Sequence, residues 1–194
     1  MANIKITQSQ ILSSFKYLLK KISYEYKSGS GGLKTQTKEV YDRGDGATVL
    51  LYNPREKKVI LTRQFRLPTY INGNLDGMLL EACAGQLDGE DPEDAIRREI
   101  EEETGYKITQ LEKIFEAYTS PGSVTEKLHF FVATYADGMK ISEGGGLEEE
   151  GENIEVEELD FEKACEMIST GEIIDCKTIL LLQYAQIHRL META

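Results

Sequence analysis

Histidine is nearly absent from this chain. Only His129 and His188 occur in 194 residues, so a histidine-built metal cluster has nothing to be made from. Cysteine is scarce as well. Cys83, Cys165 and Cys176 are odd in number, far apart and never form a C-x-x-C pair. That argues against a disulfide framework and against a zinc site. A metal, if one is used, must then be held by oxygen, which suits Mg²⁺, Mn²⁺ or Ca²⁺. No apolar run approaches the roughly 18 residues needed to span a bilayer. The opening "MANIKITQSQ" has no basic stretch leading into an apolar one, so no secretory signal is expected. The expectation is a cytoplasmic protein with no membrane partner. Positive charge is short too: 22 Lys and Arg face 34 Asp and Glu, a net charge of −12. This disfavours nucleic acid as a stable partner. A small phosphorylated substrate stays compatible, because a divalent cation bridges carboxylates to phosphate oxygens.

What is present reads as a globular chain of one domain with an extra terminal element. Residues 1–45 form a separate N-terminal β region, with "SGSGG" as a turn and "KTQTKEVYDR" alternating as a strand. They are too few and too polar for an independent domain, and a second subunit is the expected outlet for their apolar face. Residues 46–194 make the main domain. Ala47–Tyr52 and Val59–Arg66 are β-branched, apolar runs joined by the Asn-Pro turn of "NPREKK", a hairpin. "PTYINGNLDG" reads as a loop and "MLLEACAG" as one strand ending at Gly85. Further strands are expected at 110–118, 128–135 and 154–159, and helices at 161–170 and 177–191. Between them lies the long acidic, glycine-rich loop 136–153; loops of that length are usually functional or disordered. Strands mixed with few helices predict an α/β (α+β) sandwich around a mixed sheet.

The clearest element is "DPEDAIRREIEEETG". Asp91 is a natural N-cap, Pro92 fits the first helical position, and Gly105 ends the helix. Glu99, Glu102 and Glu103 stand at i, i+3 and i+4 and share a face, while Glu101 points elsewhere. Like charges at this spacing cost a few tenths of a kcal/mol per pair, and a hard cation removes that cost. Arg98, four residues before Glu102, is placed to pair with it. An acidic helix by itself is most often a solvated face.

Its surroundings point further. "AGQLDGEDPEDAIRREIEEETGY" closely resembles the Nudix box, G-x5-E-x7-R-E-U-x-E-E-x-G-U, with U a bulky aliphatic residue. Arg98, Glu99, Ile100, Glu102, Glu103 and Gly105 fall on the pattern, and Glu90 is correctly spaced from Arg98. Four residues rather than five separate Gly85 from that glutamate, and Tyr106 replaces the last aliphatic residue. The likeness extends through "EVYDRGDGATVLLYN", "RQFR", "NGN", "EACAG", "SPGSVTEKLHFF" and "TGEIIDCKTILLL". These segments resemble the GDP-mannose pyrophosphatase group within the ADP-ribose pyrophosphatase branch of Nudix hydrolases. Pro121, 16 residues after Gly105, fits a marker of that branch.

The resemblance implies an α/β/α sandwich and a homodimer in which N-terminal strands cross to the partner. It implies Mg²⁺-dependent hydrolysis of a nucleoside diphosphate sugar, GDP-mannose to GMP and mannose 1-phosphate, with Mn²⁺ as a possible substitute. It implies Glu99, Glu103 and the Ala84 carbonyl as metal ligands, with Glu102 as a further site member oriented by Arg98. The general base is expected from "GLEEEGENIEV": Glu152 first, also a metal ligand, and Glu150 second. Arg66, Ala84, Gly85 and Lys177 are expected at the substrate, as are Tyr17, Lys38, Glu39 and Glu126. His129 reads as structural. Two other readings stay open: an ADP-ribose or ADP-sugar pyrophosphatase, which the box does not separate, and a non-catalytic nucleotide-sugar-binding module. Retention of all three helix glutamates argues against the latter.

Overall fold

The computed structural model describes residues 4–29, 31–147 and 151–192. The chain divides into two compact units. One comprises Met1–Asp45 with Tyr118–Lys127, the other Gly46–Ala117 with Leu128–Ala194.

The first unit is a three-stranded antiparallel sheet in the order β1 (Lys5–Ser13), β2 (Leu18–Lys27), β3 (Leu33–Asp42). The stretch ahead of "SGSGG" supplies two of these strands. Among the described residues 4–45 none is buried. Ile4, Ile6, Ile11, Phe15 and Leu33 are each more than half exposed. Segment 118–127 docks on the end of β3: Tyr41 N donates to Ser123 O at 2.8 Å and Thr125 N to Tyr41 O at 3.0 Å.

The second unit holds a seven-stranded mixed sheet. Its order is β10 (Glu155–Asp160), β5 (Lys58–Phe65), β4 (Gly46–Asn53), β9 (Lys127–Thr134), β8 (Glu112–Tyr118), with β4 and β9 parallel. The predicted hairpin forms, and Asn53 Oδ1 closes its turn by accepting from the amides of Arg55 and Glu56. Side chains alternate between two cores, as the period of two in a strand requires. Leu50, Val59, Leu61, Phe130 and Val132 face α3 (Phe161–Thr170) and α4 (Cys176–Ile187). Val49, Leu51, Ile60, Phe131 and Ala133 face the other way, towards Ile96 and Ile100. A sheet covered by helices on both sides follows. Fully burying each Val, Leu, Ile or Phe among them contributes about 1.5–3 kcal/mol.

Three local expectations change. "PTYINGNLDG" contains a short helix, α1 (Leu67–Ile71), with Pro68 in its first turn. The acidic helix is α-helical only over α2 (Pro92–Glu99); Ile100–Thr104 continue as a π-helical turn. Such single-turn insertions recur at functional sites. Here the Thr104 hydroxyl bonds back to the Ile100 carbonyl at 2.6 Å, the side-chain competition that distorts helices. Lastly, "MLLEACAG" is not one strand. β4 and β5 pair only at Leu51–Asn53 with Lys58–Ile60 and then splay apart. β6 (Met78–Glu81) pairs with β5, and β7 (Ala84–Gln86) pairs with β4. The chain passes from one strand to the other at Ala82–Cys83.

That break exposes backbone groups to a dry interior, where each must find a partner. Three threonines, each 0 % exposed, supply them. Thr178 Oγ1 accepts from Ala82 N at 2.7 Å, Thr48 Oγ1 donates to Cys83 O at 3.0 Å, and Thr62 Oγ1 donates to Glu81 O at 3.3 Å. No helix among the described residues is long and apolar enough to cross a membrane.

Candidate active site

Helix α2 starts as its sequence dictates. Asp91 accepts from Glu93 N at 2.9 Å and Pro92 needs no donor. Its far end and the turn that follows bring Glu99 and Glu103 against β7, with Glu102 beside Arg98, the three at different depths. Glu103 is 2 % exposed, whereas the Glu99 and Glu102 side chains are 12 % and 25 % exposed. Ala84 N donates to Glu103 Oε2 at 3.3 Å, and the Cys83 thiol also bonds that carboxyl. Gly85 has no side chain for a reason: a Cβ there would lie 2.1 Å from the Glu99 carboxyl carbon. Glu101 points away and pairs with Lys107 at 3.4 Å.

Arg98 does more than hold Glu102. Its Nη1 lies 2.9 Å from Glu102 and 3.0 Å from Glu99, and its Nε lies 3.5 Å from Glu90. No arginine or lysine among the described residues pairs with Glu103. Burial therefore pushes the Glu103 carboxyl up to about 8, and the Glu99 and Glu152 carboxylates push the same way. Burial likewise lifts Glu99 to about 7; Arg98 opposes this, while Glu102 and Glu152 add to it.

Glu152 joins these groups because its loop is docked on the helix end. Gly145 N donates to Glu103 O at 2.9 Å, Gly146 N to Glu102 O at 3.1 Å, and Ile141 N to Gly105 O at 2.7 Å. Glu152 Oε2 itself accepts from Leu147 N at 3.0 Å. Glu150, the second candidate base, lies outside the described residues.

Do these groups fit a divalent ion? The donors are hard carboxylate oxygens whose charged forms are disfavoured by burial and mutual repulsion. A cation relieves both, and oxygen donors of this kind suit Mg²⁺ or Mn²⁺. Among the described residues, no three His, Cys, Asp or Glu side chains already stand in ligating geometry around one point.

The other expected contacts fall in two groups. In the second unit, Arg66 at the end of β5 and Lys177 in α4 share one partner, Glu81. Arg66 Nε donates to Glu81 Oε2 at 2.6 Å and Lys177 Nζ donates to Oε1. Asp175, which caps α4, lies 3.0 Å from the Lys177 ammonium. Sequence reasoning missed Glu81 and Asp175. A lone carboxylate inside the apolar "MLLEACAG" was the available signal.

In the first unit, Tyr17 and Glu126 meet through Arg43. The Arg43 guanidinium carbon sits 5.7 Å from the Tyr17 ring centroid, and its Nε lies 3.5 Å from Glu126. Tyr41 packs edge-on to Tyr17, and Thr119 donates to Glu126 at 3.0 Å. Arg43 was also missed. Lys38 and Glu39 are exposed on β3, opposite Ile22 and Lys21, and take no part in that cluster. Pro121 opens the turn that docks beside Tyr41. His129 is buried within β9, 3.3 Å from Glu116.

Known proteins with these features bear on the reading. A family model described as the NUDIX domain matches residues 42–178, and one described as the GDP-mannose pyrophosphatase NudK N-terminal domain matches residues 3–41. A protein of Pectobacterium atrosepticum named GDP-mannose pyrophosphatase is 54 % identical over 182 residues, 94 % of this chain and 93 % of its own length. One of Cronobacter sakazakii with the same name is 50 % identical over 190 residues, 98 % of both chains. One of Escherichia coli, also so named, is 50 % identical over 189 residues, 97 % of this chain and 98 % of its own. The helix glutamates, the broken strand beneath them and a domain match over most of the length agree: the chain belongs to the Nudix hydrolase family.

Proposed function

We propose that this chain hydrolyses the pyrophosphate bond of GDP-mannose, giving GMP and mannose 1-phosphate, with Mg²⁺ as cofactor and Mn²⁺ as a workable substitute. The observation that carries the reading is a carboxylate cluster at the end of α2 in a chain half identical, along nearly its full length, to GDP-mannose pyrophosphatases.

Glu99, Glu103, Glu152 and the Ala84 carbonyl would hold the ion. Bound there, Mg²⁺ neutralises phosphate charge and acidifies a water. The chain's own groups do the rest. Arg98 fixes the Glu102 carboxylate beside the cluster. Glu152, or Glu150 from the same loop, accepts the proton of the attacking water. Water oxygen forms a bond to one phosphorus, the P–O bond of the bridge breaks, and the second phosphate leaves. Arg66 and Lys177 take phosphate oxygens, the arginine through its planar fork. The backbone at Ala84 and Gly85 gives the substrate a close approach. Nucleotide and sugar contacts are assigned to Tyr17, Lys38, Glu39 and Glu126, each testable through KM.

The same reading includes a homodimer. The apolar side chains of β1, exposed in a single chain, support a second copy as their cover. Light scattering should give twice the chain mass, and a monomer would refute it. The three free cysteines, Cys83, Cys165 and Cys176, support a reducing, cytoplasmic compartment. The deciding assay is hydrolysis of GDP-mannose beside ADP-ribose at equal concentration with Mg²⁺. A marked preference for ADP-ribose would overturn the substrate assignment while leaving the family intact.

A further inference from the structure

Glu81 has no part in the chemistry above, yet it is the hub of a charged network. Its side chain is 4 % exposed, and it lies in β6 between Leu80 and Ala82, each 1 % exposed. A carboxylate at that depth must be matched by donors, because an unpaired buried charge is costly. Two cations match it, one per oxygen: Arg66 on Oε2 and Lys177 on Oε1. They come from distant parts of the chain, the end of β5 and the first turn of α4.

One cation would neutralise one carboxylate. Two, held on the two oxygens of one carboxylate, bring a guanidinium and an ammonium together at one point. The second is itself steadied by Asp175, whose same Oδ2 also accepts from Thr178 N and Thr178 Oγ1 at the start of α4. The Arg66 bond runs through Nε, so Glu81 does not engage the two Nη groups. Those are the donors with which arginine grips phosphate. The anchor is buried while the Arg66 and Lys177 side chains are 39 % and 13 % exposed, so Arg66 is the more open cation above a dry foundation. Lys177 also lies near the carboxylate cluster. The charge of Lys177 is felt at the Cys83 thiol, which bonds Glu103.

We propose that Glu81 is a positioning residue, holding the Arg66 guanidinium and the Lys177 ammonium together as a two-cation seat for the phosphate oxygens of a nucleoside diphosphate sugar. This rests on the reading that Arg66 and Lys177 contact substrate. Pre-organised donors of this kind raise affinity and rate because no ordering is left to be done on binding.

The test compares wild type, E81Q, R66A, K177A, E81Q/R66A and E81Q/K177A as full-length protein with Mg²⁺ and GDP-mannose. kcat, KM and Tm are measured for each. R66A and K177A are each expected to lower kcat/KM by about tenfold or more. E81Q is expected to lower it by about 10–100-fold, as loss of a supporting partner does, mostly through KM. Each double variant should be no worse than its poorer single, since the cations and their anchor act as one unit. If R66A and K177A leave kcat and KM unchanged, the reading of those cations as substrate contacts fails, and the proposal with it. If they matter but E81Q lies within about twofold of wild type, or its loss multiplies with theirs, only the positioning role fails. A fall in Tm with unchanged KM shows Glu81 to be merely structural and likewise overturns the role. Should E81Q melt below the assay temperature, E81D, which keeps the charge but withdraws it by one methylene, is judged by the same criteria.

Discussion

Gly145 donates its backbone N–H to the carbonyl oxygen of Glu103 at 2.9 Å. Glu103 thus serves the site at both ends, its carboxyl facing Ala84 and its carbonyl anchoring the loop that carries Glu152. The neighbouring Gly144 makes this approach possible. Its φ is 70°, and a Cβ there would stand 2.4 Å from the same carbonyl oxygen. Gly144→Ala should therefore cost about 1–3 kcal/mol of stability from backbone strain alone. It should also lower kcat more than far-UV circular dichroism changes, because Glu152 moves while the sheet stays. Normal turnover in this variant would show that the loop's docking does not serve catalysis.

The raised carboxyls fix a pH dependence. Glu103 is lifted to about 8 and Glu99 to about 7, from 4.5. Between those values the folded chain binds more protons than the unfolded one, so stability falls as pH rises. In the absence of metal the contribution is complete below pH 4.5 and is lost as pH passes through 7 and 8. Asp42 and Glu158, held below their ordinary range chiefly by Lys20 and Lys58, act on the acid side of this window. Thermal melts in EDTA should show a falling Tm from about pH 5 to 8.5, and Glu103→Gln should flatten the fall. Mg²⁺ should raise Tm more at pH 8 than at pH 5.5, since the ligands must be deprotonated to bind it. A metal-free Tm that climbs across this range would contradict the assignment.

Much of this site was legible along the chain, for physical reasons. Caps are local, so Asp91, Pro92 and Gly105 marked the ends of the acidic segment. A short apolar run is a local signal too, so β4 and β5 were readable as a hairpin. The π-helical turn was not legible, because it depends on a hydroxyl competing with backbone inside a helix. The break at Ala82–Cys83 was hidden as well, since it arises where β4 and β5 diverge and both demand a partner. Glu81 and Lys177, 96 residues apart, meet only in the folded chain. The placement of Glu152 depends on backbone amides of glycines, which carry no side-chain signature.

The three depths of the helix glutamates separate their roles. Glu103 is buried with no basic partner among the described residues, whereas Glu101 is a surface residue paired with Lys107. Glu103→Gln should lower kcat with Mg²⁺ by more than about 100-fold, or about 2.7 kcal/mol of barrier, with Tm in EDTA not reduced. Glu101→Gln should stay within about twofold, because exposed ion pairs contribute roughly 0–1 kcal/mol. Steady-state kinetics on both variants checks the contrast. Equal losses would mean that the acidic segment acts through net charge and not through placed ligands.

Thr178 links the start of α4 to the broken strand. Its hydroxyl donates to Asp175 at 2.6 Å and accepts from Ala82 N at 2.7 Å, with no exposure to solvent. Valine has the same shape and neither capacity. Thr178→Val leaves the Ala82 amide buried without an acceptor, a cost of about 1–3 kcal/mol. Tm should fall by roughly 2–4 °C for each of those kcal/mol in a chain of this size. The loosened amide lies two residues before Ala84, so kcat should fall as well. Thr178→Ser restores the hydroxyl without the methyl and should recover most of both. A valine variant as stable and active as wild type would show that another group satisfies the Ala82 amide, and that the break needs no hydroxyl from α4.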